Sequence, residues 1–151
     1  MLERDLADAD ATTRLGAAIA AALKDRSGAV VFLEGNLGAG KTTLARGLLR
    51  ALGVEGAIRS PTYTLMEPYL GSSGPVLHLD LYRLTDPLEL HNLGLADYPP
   101  QQTLWLVEWP DKGGPLLPSP DLRVQLSVQG AGRRATLIAA EPLQLRIASS
   151  L

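Results

Sequence analysis

The stretch Gly35-Asn36-Leu37-Gly38-Ala39-Gly40-Lys41-Thr42 fits the pattern G-x-x-x-x-G-K-[ST], the spacing a loop needs to hold a polyphosphate. Several negative charges can be held in a loop only where successive backbone N–H groups turn inward around them. Glycines at 35, 38 and 40 permit those backbone angles and the close approach that a Cβ would block. Lys41 can reach the β- and γ-phosphates as a point charge. The Thr42 hydroxyl offers one coordination position to Mg²⁺, and the N-terminus of a following helix favours anionic phosphate.

Mg²⁺ prefers oxygen ligands, so a loop of this kind calls for an acid at the end of a nearby strand. Glu108 closes Leu104-Trp105-Leu106-Val107, an apolar run ended by an acid in the manner of a Walker B strand, and Asp80 follows Val76-Leu77-His78-Leu79. Alone, either acid would be read as a solvated or capping group. Beside the loop, Glu108 is expected to hold metal and Asp80 to belong to the site. Thr62, just after Pro61, is either a hydroxyl at the start of a strand or a switch threonine that senses γ-phosphate or metal. Trp109 reads by default as a partly buried core aromatic, with a surface for a partner or ring as the alternative. His78 reads as a satisfied strand histidine, His91 as a helix-surface one, and Arg83 as a salt-bridge residue before a phosphate ligand.

The elements that must position these groups can be read from hydrophobic spacing. Ala29-Val30-Val31-Phe32-Leu33-Glu34 is a strand ahead of the loop. Lys41 to Leu52 is a helix, with Leu44, Leu48, Leu49 and Leu52 on one face and Gly53 as its stop. An earlier helix carries Leu15, Ile19, Ala22 and Leu23, is capped by Asp10 or Thr12, and ends near Gly28. Alternation from Tyr63 to Tyr69, the turn cluster Gly71 to Pro75 and the run Val76 to Tyr82 predict a hairpin. Asp86-Pro87-Leu88-Glu89 has the capping side chain, the first-position proline and the glutamate three residues on that open a short helix, which ends at Gly94. Thr103 to Glu108 is another apolar strand. Pro110 to Pro120, with four prolines and two glycines, is a loop. Leu122 to Val128 and Arg134 to Ala139 form a second hairpin around Gln129 to Arg133. The first residues and the tail after Glu141 carry weak signals.

The 151 residues fit one domain, and a content of 46% hydrophobic and 20% charged residues predicts a folded core. A net charge of −2 without a basic run argues against holding nucleic acid alone through its phosphates. Without cysteine there are no disulfides or thiolate metal sites. The acidic start lacks a secretory signal and no stretch is apolar enough to span a bilayer, so a cytoplasmic location is expected. The expected fold is α/β: a P-loop NTPase-like three-layer arrangement in which helices flank a mixed β-sheet, with residues 1–151 as a single P-loop ATPase domain.

Four motifs, Gly35 to Thr43, Ser60-Pro61-Thr62-Tyr63-Thr64-Leu65, His78-Leu79-Asp80-Leu81-Tyr82-Arg83 and Val107-Glu108-Trp109-Pro110, stand in the order and spacing of the bacterial TsaE (YjeE) family, and Gly132-Arg133 resembles a late Gly-Arg pair of that family. The resemblance covers the chain from about the first helix to the last hairpin. It implies an ATP–Mg²⁺ site in which Leu37, Gly38, Ala39, Gly40, Lys41, Thr42, Thr43, Gly132 and Arg133 hold the nucleotide. Thr42 and Glu108 would hold the metal, with Thr62 on a switch segment and Asp80 assisting catalysis by positioning water. It also implies weak hydrolysis alone, TsaB- and TsaD-like partners, and a role in threonylcarbamoylating the adenosine beside the anticodon. In that picture tRNA is reached only indirectly, no membrane is involved, and the chain resets or regulates the complex without transferring the group.

Three other readings stay open from the residues. A small-molecule kinase needs cationic groups over the transferred phosphoryl, and between Lys41 and Lys112 the basic residues are Arg46, Arg50, Arg59 and Arg83, with no arginine-rich lid. A GTPase would use Asp111-Lys112-Gly113-Gly114 as its D-x-x-G, but no N-K-x-D segment exists to read guanine. A nucleotide-binding adaptor with incidental hydrolysis is the non-enzymatic alternative.

Overall fold

The computed structural model describes residues 1–151. In chain order the regular elements are β1 (Leu2–Leu6), α1 (Ala9–Leu23), β2 (Ala29–Glu34), α2 (Lys41–Ala51), β3 (Met66–Gly71), β4 (Gly74–Asp80), β5 (Leu104–Glu108), β6 (Leu122–Gln129), β7 (Gly132–Ala139) and α3 (Glu141–Ser150), with short 3₁₀ helices between β4 and β6. The strands form one mixed α/β sheet in the order β1-β7-β6-β2-β5-β4-β3. The three central contacts, β4 with β5, β5 with β2 and β2 with β6, are parallel, and the two hairpins and β1 are antiparallel.

Alternation along the strands divides the interior into two layers. Val31, Leu33, Leu104, Leu106, Val124 and Leu126 face one way and pack with Ile19, Leu44, Leu48, Leu49 and Ile147 from the three α-helices. Val30, Phe32, Leu77, Leu79, Trp105 and Val107 face the other way and are covered by Leu81, Leu84 and Leu90. Leu90 comes from the 3₁₀ helix Pro87–Asn92, whose capping box is formed by Asp86 and Glu89 as its sequence predicts.

The helix pair α1 and α2 meets at two glycines. A Cβ on Gly16 would lie 2.5 Å from the Leu44 carbonyl oxygen, and one on Gly47 would lie 2.5 Å from that of Thr13. The two backbones therefore touch, and α2, with the loop at its start, has a fixed seat on α1.

Several boundaries differ from the sequence reading. The cap of α1 is Asp8, whose carboxylate accepts from the Ala11 N–H at 2.8 Å, and Thr12 lies buried inside the helix. Residues 61–65 are turn and bend, and the strand begins only at Met66, because Leu65 takes a positive φ of 66° that ends extended pairing. Glycine 71 and Gly74 lie within β3 and β4, leaving Ser72-Ser73 as the turn. β1 and α3 form where the sequence signals are weak: β1 pairs with β7, and α3 seats Leu143 and Ile147 in the core.

Candidate functional site

The parallel register decides which acids meet. Val76, Leu104 and Leu106 face the α-helices, so His78, Asp80 and Glu108, each an even number of residues from them, emerge on that same face. Asp80 stands directly opposite Glu108 in the β4–β5 ladder, and Leu33 stands opposite Glu108 on its other side. The carboxyl ends of three parallel strands thus open toward the start of α2, the position where open α/β sheets hold ligands.

The loop from 35 to 42 crosses this end. Gly38 and Gly40 have φ of 80° and 107°, angles that L side chains rarely adopt. A Cβ on Gly35 would lie 2.5 Å from the Leu126 carbonyl oxygen, so that glycine lets the loop rest on β6. Ala39 is buried under the loop and its N–H is spent on the Asn36 carbonyl at 3.1 Å. Lys41 is only 5% exposed, and its ammonium donates to the carbonyls of Gly35 and of Asn36, the latter at 3.0 Å. It also sits 4.4 Å from the centre of the Trp109 ring. Burial pushes the Lys41 pKa below its ordinary value, while the charges of Glu108 and Asp80 act the opposite way.

Around the lysine lies an open cleft of about 310 Å³, lined by Leu37, Lys41, Thr42, Thr62, Asp80, Tyr82, Glu108 and Arg133 among others. The Thr42 hydroxyl lies 3.4 Å from Glu108 Oε1, and Glu108 Oε2 lies 2.7 Å from His78 Nε2. The Asp80 carboxylate accepts from the Tyr82 N–H at 3.1 Å and, over 3.5 Å, from the Thr62 hydroxyl. Burial raises the Asp80 pKa; the Tyr82 N–H opposes that rise and the neighbouring Glu108 charge adds to it. Arg133 donates to the Gly38 carbonyl at 3.0 Å, which ties the start of β7 to the loop. A Cβ on Gly132 would lie 2.3 Å from the Leu6 carbonyl oxygen, so the glycine of this pair makes room for β1. Beside Gly40 a second cleft of about 260 Å³ runs between Asp8, Thr12, Thr43, Ala131 and Arg133.

The donor set suits Mg²⁺ held with phosphate. No group of three His, Asp or Glu side chains could hold a metal ion alone. The Thr42 and Glu108 oxygens, 3.4 Å apart, lie close to the ~3 Å spacing of adjacent ligands on an octahedral ion with ~2.1 Å bonds. Phosphate and water would then complete the sphere.

The sequence-predicted residues Lys41, Thr42, Thr62, Asp80, Glu108 and Arg133 all border one cleft. Trp109 fits the reading of a partly buried core aromatic: it is half-buried and packs against the second layer, and it also adopts an unusual φ of 56°, stacks on Tyr82 with ring centres 4.9 Å apart and faces Lys41. His91 is exposed as expected. Arg83 makes no salt bridge; its guanidinium lies 4.5 Å from the ring centre of Tyr63. Asp8, His78 and Tyr82 were not singled out as site residues by sequence. For His78 the available signal was its place two residues before Asp80, on the same strand face.

Comparison with known proteins places the chain. The family model described as threonylcarbamoyl adenosine biosynthesis protein TsaE matches residues 6–136. The tRNA threonylcarbamoyladenosine biosynthesis protein TsaE of Haemophilus influenzae is 44% identical over 121 residues, covering 80% of this chain and 77% of that one. The Rickettsia bellii protein of the same name is 35% identical over 131 residues, covering 86% and 89%. Among solved structures, Bacillus subtilis YdiB superposes with a TM-score of 0.75 at 27% identity, over 99% of this chain and 93% of that one.

Proposed function

The chain belongs to the TsaE family of tRNA threonylcarbamoyladenosine biosynthesis proteins, and from that footing we propose that it is a Mg²⁺-dependent ATPase that regulates or resets the modifying complex. The observation that supports this most is the meeting of Lys41, Thr42, Asp80, Glu108 and Arg133 around one cleft at the carboxyl ends of parallel strands.

In this reading Gly38, Gly40, Lys41 and Thr42 cradle the phosphates, with Lys41 exchanging its loop carbonyls for β- and γ-phosphate oxygens. Arg133, already bonded to the loop, adds a second cation, and the cleft between Asp8, Thr12 and Ala131 takes the nucleoside end. Thr42 and Glu108 hold Mg²⁺, which neutralises charge on the transferring phosphoryl group. Asp80 orients a water against the γ-phosphorus and accepts its proton as the bond from that phosphorus to the β–γ bridging oxygen breaks, releasing ADP and phosphate. A carboxylate whose pKa lies above the ordinary value is a better proton acceptor than a solvated one. Thr62, bonded to Asp80 from the turn at 61–65, couples that turn, whose Tyr63 and Thr64 are exposed, to the state of the site. Partners of the TsaB and TsaD type read the turn, and tRNA is reached through them.

The test is ATP hydrolysis with Mg²⁺, alone and with TsaB and TsaD, for wild type, Lys41→Ala and Glu108→Ala. The expected result is low activity alone, a rise with partners and at least hundredfold loss in both variants. Partners that neither bind nor change the rate would remove the pathway role of hydrolysis, and full activity in Lys41→Ala would remove the ATPase itself.

A further inference from the structure

We propose that His78 is a positioning residue that aims the Glu108 carboxylate at the metal position, a role that rests on the Mg²⁺–ATP site proposed above. Both side chains are buried, His78 to 1% exposure and Glu108 to 3%, and Nε2 meets Oε2 at 2.7 Å, the length of a charge-assisted bond. The other Glu108 oxygen is the one beside Thr42. One carboxylate oxygen is thus held from behind by the histidine while the other faces the metal position. A carboxylate only accepts, so Nε2 is the donor and carries the proton.

The far side of the ring strengthens the assignment. His78 Nδ1 is the one buried side-chain nitrogen or oxygen in the protein without a hydrogen-bond partner. Leaving a polar atom dry costs stability, and a strand position between Leu77 and Leu79 would be filled more favourably by an aliphatic side chain. Packing therefore does not account for a histidine there, whereas the single bond to Glu108 does. With Nε2 protonated toward the carboxylate, the unmet atom is a lone pair, a smaller loss than an unmet N–H. Histidine also fits the reach: β4 and β5 are hydrogen-bonded neighbours, and His78 lies opposite Leu106, two residues short of Glu108. The ring spans this diagonal without disturbing the Asp80–Glu108 pairing. Groups that orient a metal-binding carboxylate typically change metal affinity or activity by tenfold or more when removed.

The test compares His78→Phe, which keeps a ring and deletes the donor, with His78→Gln, whose amide nitrogen can replace Nε2. The first readout is the Mg²⁺ concentration that half-saturates binding of a fluorescent ATP analogue, with analogue binding in EDTA as the control. The expected result is a rise of about tenfold in the Mg²⁺ midpoint for His78→Phe, unchanged binding in EDTA, and return to within about threefold of wild type for His78→Gln. A lower kcat with unchanged KM for ATP should accompany it. A folded His78→Phe with the wild-type Mg²⁺ midpoint overturns the positioning role alone, whereas a wild type without Mg²⁺-dependent nucleotide binding removes the ATPase reading as well. Should His78→Phe fail to fold, ¹⁵N spectra of histidine in the wild type decide the question. Nε2 protonated and Nδ1 bare, both before and after Mg²⁺ and a non-hydrolysable ATP analogue, is the required pattern. The reverse tautomer overturns the proposal.

Discussion

Two segments face the same cleft and are held in opposite ways. The loop from 35 to 42 rests on β6 at Gly35, continues into a helix whose Leu44, Leu48 and Leu49 are fully buried, and is seated on α1 through Gly47. The segment from 59 to 65 is a turn whose side chains at Arg59, Ser60, Tyr63 and Thr64 are exposed. Its side-chain fastenings are Ser60 to Thr62 at 2.7 Å, Tyr69 to the backbone of Arg59, Thr64 to Glu67 at 3.3 Å and the ring of Tyr63 under Arg83. Pro61 is buried, Leu65 packs against the second layer, and the Asp80 N–H donates to the Leu65 carbonyl at 3.0 Å. Only the 3.5 Å contact from Thr62 to Asp80 joins its side chains to the site. Core packing makes the loop a preformed cradle. Few buried contacts make the segment the part that can change arrangement at small cost.

The difference can be broken at its foundation first. Gly47→Leu drives a side chain into the backbone of α1 and should cost about 3 kcal/mol, a fall of roughly 6–12 °C in Tm by calorimetry, with nucleotide affinity falling in step. A smaller change would mean that the cradle is not seated through the helix crossing. Thr62→Ala should act on the other side of the comparison. Partner-stimulated hydrolysis is expected to fall about tenfold, near 1.4 kcal/mol in the barrier, while Tm stays within about 2 °C. A large loss of stability there would show that the turn is structural after all.

Asp80 sharpens the boundary between the two. Its pKa is raised in the folded state, so above its ordinary range the unfolded chain holds fewer protons and ionisation opposes folding. Asp80→Asn should therefore raise Tm at pH 7, as read by calorimetry. The gain should shrink as pH falls through the raised folded pKa and vanish below the ordinary carboxylate pKa, near 4. Hydrolysis should be lost in the same variant, so stability and activity move in opposite directions. A Tm that falls at pH 7 would mean that the bonds from Tyr82 and Thr62 outweigh burial. The smallest effect is expected from proteolysis. Trypsin should cut after exposed Arg59 before most other sites, and Mg²⁺–ATP should slow that cut a few-fold. Equal protection of Arg46 on α2 would erase the contrast.

Much of the site was legible because its motifs are local. The loop, its strand and its helix follow one another along the chain, and backbone angles at Gly38 and Gly40 leave little choice of residue. Both hairpins and the capped turn at Asp86 were legible for the same reason. β1 was not, since Leu2–Leu6 alternates only weakly and becomes a strand by pairing with β7. The start of β3 was misread because alternation continues through a turn that Leu65 forces at positive φ. Trp109 packs partly buried against the core as its place after an apolar strand implies, but its contacts with Lys41 and Tyr82 depend on a left-handed backbone that no local signal specifies.

Residue types alone determined a glycine-rich loop with phosphate-binding spacing, two strand-ending acids and an α/β sheet to present them, since these follow from glycine geometry and hydrophobic period. Only the tertiary structure decided that Asp80 and Glu108 are ladder partners, that His78 lies behind Glu108 and that Arg133 reaches the Gly38 carbonyl. Parallel register and strand order bring together residues dozens of positions apart, and nothing in the spacing along the chain specifies which strands become neighbours.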